Sequence, residues 1–327
     1  MKLCVYGAGA VGGALAVPVA LAGSDVSIVA RGAHGEAIAA SGLTVVQGER
    51  RRTARVRVSA DPKDLGPQDV VIVTVKATDP AGLAKGLPPL LGPDTAVVFA
   101  QNGVPWWYTH ALRASGKLPD LARLDPGGAL ERSVGARRAI GCVIYAPVEV
   151  TSPGVVKINS SEPLRFLLGE PDGSTSARVV AIAKALEAGG HGAPITADIR
   201  HEIWKKLLLN IAQSPICCLI GAPISAIGPN EALRNLASAL VREVCAVAAS
   251  IGVSVALDKE LAIGSPGLSL PHKPSMLQDL EKGRPLEIDA ILCAVQDFAR
   301  ARGVPTPNLD AVTGLLIGRA MVAGLYR

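Results

Sequence analysis

Two regions of this chain have residue types and spacings suited to ligand chemistry. The first is Gly7-Ala8-Gly9-Ala10-Val11-Gly12, which follows the apolar run Lys2–Tyr6 and opens a helical stretch reaching about Ala22. A first glycine there permits a tight strand-to-helix turn. A second lets backbone N–H groups reach a pyrophosphate, and a third lets helix and strand pack closely. The helix N-terminus adds a partial positive charge facing the phosphates. A lone glycine pattern is weak evidence, but one placed between a strand and a helix predicts a dinucleotide site. Gly7, Ala8, Gly9, Ala10, Val11 and Gly12 are therefore expected to bind cofactor. At the end of the next strand, Asp25–Ala30, stands Arg31, where NAD-binding domains usually carry a carboxylate for the ribose hydroxyls. A guanidinium suits a 2′-phosphate, so NADPH is the expected cofactor.

Lys76 and Asn102 end two further apolar runs, and polar groups at strand ends can fix phosphate, ribose or nicotinamide. Position alone is equally consistent with ordinary loop residues. The second region is helical. Lys206, Asn210 and Ser214 recur every four residues beside the apolar positions Ile203, Trp204, Leu207, Leu208 and Ile211, forming a polar ledge. Lys205, about 100° round the helix, is expected to point to solvent. Lys206 could snorkel, or the ledge could face a cleft. Glu287 follows Gly283-Arg284-Pro285 and by itself reads most simply as a first-turn carboxylate.

The elements around these residues alternate. Strands are expected at 2–6, 25–30, 43–46, 54–58, 69–75 and 96–100, and a helix at 176–188; the last two strands are continuous apolar runs, as in a parallel sheet covered on both faces. Residues 105–138 read as a long surface connection or lid, 140–150 and 155–158 as a hairpin or two edge strands, and 191–196 as a last short strand. Helical periodicity takes over at 199–220, 230–251, 273–282, 287–302 and 307–322. The expected fold class is α/β, with an N-terminal Rossmann-type doubly wound parallel sheet (1–197) and an all-helical C-terminal domain (198–327).

Composition excludes several functions. In 327 residues, 49% are hydrophobic, 19% charged and only 3% aromatic, which suits α/β layers built from Ala, Val, Leu and Ile. The net charge of +5 is mild. Arg55 and Arg57 alternate with Val56 and Val58 like the outer face of a strand, and no aromatics interleave as in a nucleic-acid patch. The cysteines lack metal-ligand spacing, so no metal site and a reducing, cytoplasmic setting are expected. The apolar start could pass for a secretory signal, but its glycines form the phosphate pattern. The run 207–227 is broken by Asn210, Gln213, Ser214, Pro215 and Pro223, against a membrane span.

Taken together, GAGAVGG (7–13), VAR (29–31), VKA (75–77), QNGV (101–104), IWKKLLLN (203–210), SMLQDLEKGRPLEID (275–289) and RGVPTPN (302–308) resemble the ketopantoate reductase family in order and over nearly the whole chain. The resemblance implies a site between the domains, where NADPH reduces 2-dehydropantoate (ketopantoate), a small 2-oxo acid, to (R)-pantoate for pantothenate and coenzyme A synthesis. It implies Lys206 as general acid, with Asn210 and Ser275 orienting substrate and Ser214 on the same ledge. It gives Glu287 the substrate hydroxyl and the holding of Lys206, sets Asn102 near nicotinamide and substrate, and Lys76 near the cofactor. Two departures, Ser214 where a second asparagine is expected and Leu286 where a small polar residue is common, leave the exact branched 2-oxo acid open. A non-catalytic NADPH sensor is the competing class, disfavoured by the pair Lys206 and Glu287. A homodimer is compatible with the sequence, which does not fix oligomeric state.

Overall fold

The computed structural model describes residues 1–112, 114, 116–256 and 272–326. Their contacts divide the chain into two units, residues 1–101 with 125–199, and residues 102–124 with 200–327. The excursion 102–124 thus groups with the helical unit, although sequence reading set it in the first domain.

In the first unit the chain runs β1 (Lys2–Tyr6), α1 (Ala10–Leu21), β2 (Asp25–Val29), α2 (Gly32–Ser41), β3 (Leu43–Gln47), β4 (Arg50–Ala54) and β5 (Arg57–Ser59). It continues through β6 (Gln68–Val73), α3 (Pro80–Gly86), β7 (Leu91–Phe99), α4 (Ala129–Ser133) and β8 (Ala139–Tyr145). β9 (Val148–Ser152), β10 (Val155–Ile158), β11 (Arg165–Gly169) and α5 (Ala177–Ala188) complete it. A seven-stranded sheet has the order β11-β8-β7-β6-β1-β2-β5, parallel except for β11. From β1 the chain builds outward through β2 and β5, then returns to add β6 and β7 on the other side. That reversal makes the carboxyl ends of β1 and β6 a topological switch point, where open α/β sheets bind ligands. Leu3, Val5, Leu15, Val17, Ile28, Ile72, Val98, Phe166 and Leu168 share the core.

A separate four-stranded sheet, β4-β3-β10-β9, also packs on α1. It corrects the single strand expected at 54–58. Gly48, with φ of +58°, turns β3 into β4, and β5 joins the other sheet beside β2. Arg55 and Arg57 are exposed while Val56 and Val58 are half-buried, as their alternation predicts. Residues 191–196 make only isolated bridges, Gly192 to Arg165 and Ile195 to Leu168.

The second unit carries α6 (Ile199–Ile220), α7 (Glu231–Ser250), α8 (Ser275–Glu281), a π-helical turn (Asp289–Cys293), α9 (Ala294–Arg302) and α10 (Pro307–Val322). α6 is long and apolar enough to cross a membrane by composition, yet Ile211–Cys218 are buried on every side of it within this fold. The excursion is a surface connection only in part: its described residues from 111 to 120 are exposed or half-buried, whereas Trp106 to Tyr108 belong to the core. Trp107 is 2% exposed and Tyr108 fully buried. The Tyr108 ring meets Phe298 edge-on at 5.3 Å, and Trp204 Nε1 donates to its hydroxyl at 2.6 Å. Arg200 lies over the same ring and donates to the Tyr108 carbonyl at 3.0 and 2.9 Å. A chain poor in aromatics thus concentrates them here, giving this unit a rigid centre.

Candidate active site

In the first unit the glycine turn is shaped by contact. Gly7 has φ of +108°, and a Cβ there would stand 2.5 Å from a Val75 side-chain carbon. A Cβ on Gly12 would lie 2.0 Å from the Gly7 carbonyl oxygen and 2.5 Å from Thr74 Oγ1, so only glycine lets α1 approach the turn. The Thr74 hydroxyl donates to the Gly7 carbonyl at 2.5 Å. At Gly9 a Cβ would meet nothing within 4 Å, so the turn is open on its outer side. Gly9 is the N-cap of α1 without any side-chain cap, and the first turn holds no acidic residue. Those N–H groups are available to an anion, which is the donor set a pyrophosphate requires. Ala8 is buried and Ala10 and Val11 are half-buried, so what this stretch presents to a ligand is mainly its backbone.

His34 was not singled out by sequence reading. Gly154 N–H donates to its Nδ1 at 3.1 Å, so Nε2 carries the proton and donates to the Ala8 carbonyl at 2.7 Å. The ring pins the glycine turn to the β9–β10 hairpin. Its only sequence signal is position, three residues past Arg31. Arg31 is exposed at the N-cap of α2, just beyond β2. Its charge acts on Tyr6, partly offsetting the upward push of burial on that hydroxyl's pKa. Lys76 follows β6, and the neighbouring Val75 carbonyl accepts from Gln101 Nε2 at 2.8 Å, tying two strand-end loops together.

In the second unit Lys206 is half-buried on α6, and desolvation lowers its pKa from 10.5 to about 8. An ammonium so tuned can give up a proton near neutral pH. Asn210 is half-buried and Ser214 is 6% exposed, about 40° and 80° round the helix from Lys206. The pKa of His272 is lowered by burial and then by the charge of Lys206, which brings the segment before α8 near that lysine. Farther along, Cys218 on α6 feels Asp279 and Glu281 of α8. Ser275, the first residue of α8, is exposed.

Glu287 is 8% exposed, more buried than a helix-start carboxylate need be. Two residues later the backbone becomes π-helical, with Ala294 N–H bonded to the Asp289 carbonyl. Such turns recur at functional sites because they re-aim side chains. The excursion grips this turn at both ends. Val104 N–H donates to the Ala290 carbonyl at 2.7 Å. Arg123 bonds Asp289 at 2.9 Å and Asp297 at 2.7 Å, and Tyr326 donates to Asp289 at 2.8 Å. Asn102, which sequence reading left at a strand end, therefore enters the second unit two residues before a direct tie to the Glu287 helix. Arg123 and His272 carried no motif in the sequence.

Known proteins resemble this chain along its whole length. The family model "Ketopantoate reductase PanE/ApbA" matches residues 3–172, and its C-terminal counterpart matches residues 198–320. The chain is 44% identical over 327 residues to a 2-dehydropantoate 2-reductase of Mesorhizobium japonicum, covering all of both chains. It is similar to a solved structure from Ralstonia solanacearum MolK2 classed as a ketopantoate reductase, with a TM-score of 0.90, 36% identity and 99% of each chain covered. D-mandelate dehydrogenase, solved with NADH and anilino(oxo)acetate, shares the fold at a TM-score of 0.83 and 20% identity, over 99% of this chain and 100% of that one.

Proposed function

The chain belongs to the ketopantoate reductase family, and from that premise we propose that it uses NADPH to reduce ketopantoate to (R)-pantoate. It is an enzyme, a pyridine-nucleotide-dependent oxidoreductase of small 2-oxo acids. The observation that carries the mechanism is Lys206, half-buried, with a pKa brought down to about 8. A bound nicotinamide cofactor supplies the hydride. As hydride adds to C2, the ketone π bond opens onto oxygen, and Lys206 gives its Nζ proton to that oxygen to form the hydroxyl. The resulting amine regains a proton from water. Until transfer, the ammonium stabilises the growing negative charge. Asn210, Ser214 and Ser275 orient the substrate, and Glu287 accepts from its hydroxyl and holds Lys206. Asn102 borders substrate and nicotinamide.

Gly7 to Gly12 present backbone donors to the pyrophosphate, Lys76 adds charge, and Arg31 takes the 2′-phosphate. The exposed guanidinium at the end of β2 supports NADPH over NADH. Arg31→Ala is expected to lower kcat/KM for NADPH more than about tenfold, since charge-assisted hydrogen bonds are worth about 1.5–3 kcal/mol each. kcat/KM for NADH should hardly move, and equal losses with both cofactors refute the assignment.

Following NADPH absorbance with ketopantoate and other branched 2-oxo acids tests the reading as a whole. Ketopantoate should give the highest kcat/KM. A higher value for another acid would move the substrate, which Ser214 and Leu286 make a concrete alternative. Tight NADPH binding without turnover of any 2-oxo acid would instead favour a sensor.

A further inference from the structure

Gln213 has a side chain that the mechanism above does not use. It lies on α6 and is 6% exposed, and among the described residues its Nε2 has no hydrogen-bond partner. A buried amide donor left unsatisfied costs about 1–3 kcal/mol. Such groups are rare enough in folded proteins to need an explanation.

The helix supplies one. Seven residues from Lys206 is nearly two full turns, so Gln213 returns to within about 20° of the same face. It stands roughly 10 Å farther along the axis, and side chains on a helix lean toward its N-terminus, here toward Asn210 and Lys206. The donor therefore lies on the same stretch of α6 as Asn210 and Ser214, at the far end of the ledge from the proton donor.

We propose that Gln213 is a specificity-determining residue whose side-chain NH2 donates to the hydroxyl oxygen at the end of the substrate remote from the ketone. This rests on the reading of the site as a 2-oxo acid reductase. The choice among substrate groups follows from chemistry. A neutral amide suits a hydroxyl, whereas a carboxylate in a buried place calls for a cation. A hydroxyl that donates to Glu287 keeps lone pairs to accept from Gln213. Ser214 is too short to span to the same point, so a longer amide one residue earlier supplies the reach.

Trimethylpyruvate, which has a methyl where ketopantoate has its hydroxymethyl group, makes the test direct. Gln213→Leu and Gln213→Met, each close to glutamine in size, would be assayed with both acids at saturating NADPH, and their melting temperatures recorded. For ketopantoate, kcat/KM should fall about tenfold or more, mostly through KM, because the substrate hydroxyl loses its donor. For trimethylpyruvate it should hold within about twofold, so the preference between the two acids collapses. Melting temperatures should hold or rise, since an unsatisfied buried donor is removed. Equal losses on both acids in both variants, or no loss on either, overturn the assignment while leaving the reductase reading in place. Failure of the wild-type chain to turn over either acid overturns that reading, and this assignment with it.

Discussion

Lys206→Met should nearly abolish ketopantoate reduction, by about a thousandfold in kcat, while making the protein harder to unfold at neutral pH. The two effects share one cause. Burial pulls the ammonium from 10.5 to about 8, so the folded state holds this charge at a cost. Sign follows from proton binding. Between about pH 8 and 10.5 the unfolded chain keeps this proton and the folded chain sheds it, so this group makes stability rise with pH across that window. Its cost is present in full below about 8 and gone above 10.5. Methionine keeps the stem and drops the charge. A gain of up to about 2 kcal/mol at pH 7 is expected after allowing for partial exposure, reduced by whatever Glu287 loses with its partner, and vanishing above the upper limit. Thermal melts across pH measure it.

Activity moves the other way with pH. Reduction needs the lysine protonated, so kcat/KM for ketopantoate should be level below about 8 and fall tenfold per unit above it. A wild-type profile flat from neutral to strongly alkaline pH, together with an unchanged melt for Lys206→Met, would remove Lys206 as the proton source. Retained activity in the variant would do so at once.

Much of the first unit is legible in the sequence because its signals are local. Gly7, Gly9 and Gly12 are read from spacing, and the structure gives each a contact reason that spacing only implies: Val75 behind Gly7, Thr74 and the Gly7 carbonyl behind Gly12, open space at Gly9. The Lys206, Asn210 and Ser214 ledge is legible for a similar reason, since helical period is a property of neighbours in sequence. What sequence reading misses is set at long range. Nothing near Tyr108 announces that it serves as core, because its partners Trp204, Phe298 and Arg200 lie far along the chain. Turn-forming residues at 119–128 suggested a surface connection instead. His34 and Arg123 act through a backbone carbonyl and two carboxylates that no local pattern links to them. The single strand expected at 54–58 failed because alternation gives a face but not a sheet.

Gly103→Ala should cost about a hundredfold in kcat while lowering NADPH affinity far less. Gly103 has φ of +85°, which an alanine adopts only with strain of about 1–2 kcal/mol. Strain is the smaller part. A Cβ there would fall 2.4 Å from the Ala290 carbonyl oxygen, 2.5 Å from its carbon and 2.8 Å from its Cβ, so backbone has to give way. The first bond broken is Val104 N–H to Ala290 O, at 2.7 Å. That bond sets Asn102 against the helix of Glu287, and a misplacement of about 1 Å in a reacting array costs on the order of a hundredfold. Gly252→Ala is the control. Its φ is +83°, but a Cβ meets nothing within 4 Å, so it should lower the melting temperature slightly and spare kcat. The glycine turn lies in the other unit, so NADPH affinity by fluorescence titration should fall far less than kcat, through Asn102 at the nicotinamide alone. Wild-type kcat in Gly103→Ala would mean that this contact does not set the position of Asn102. A fall in kcat matched by an equal fall in NADPH affinity would place the damage at the cofactor turn instead.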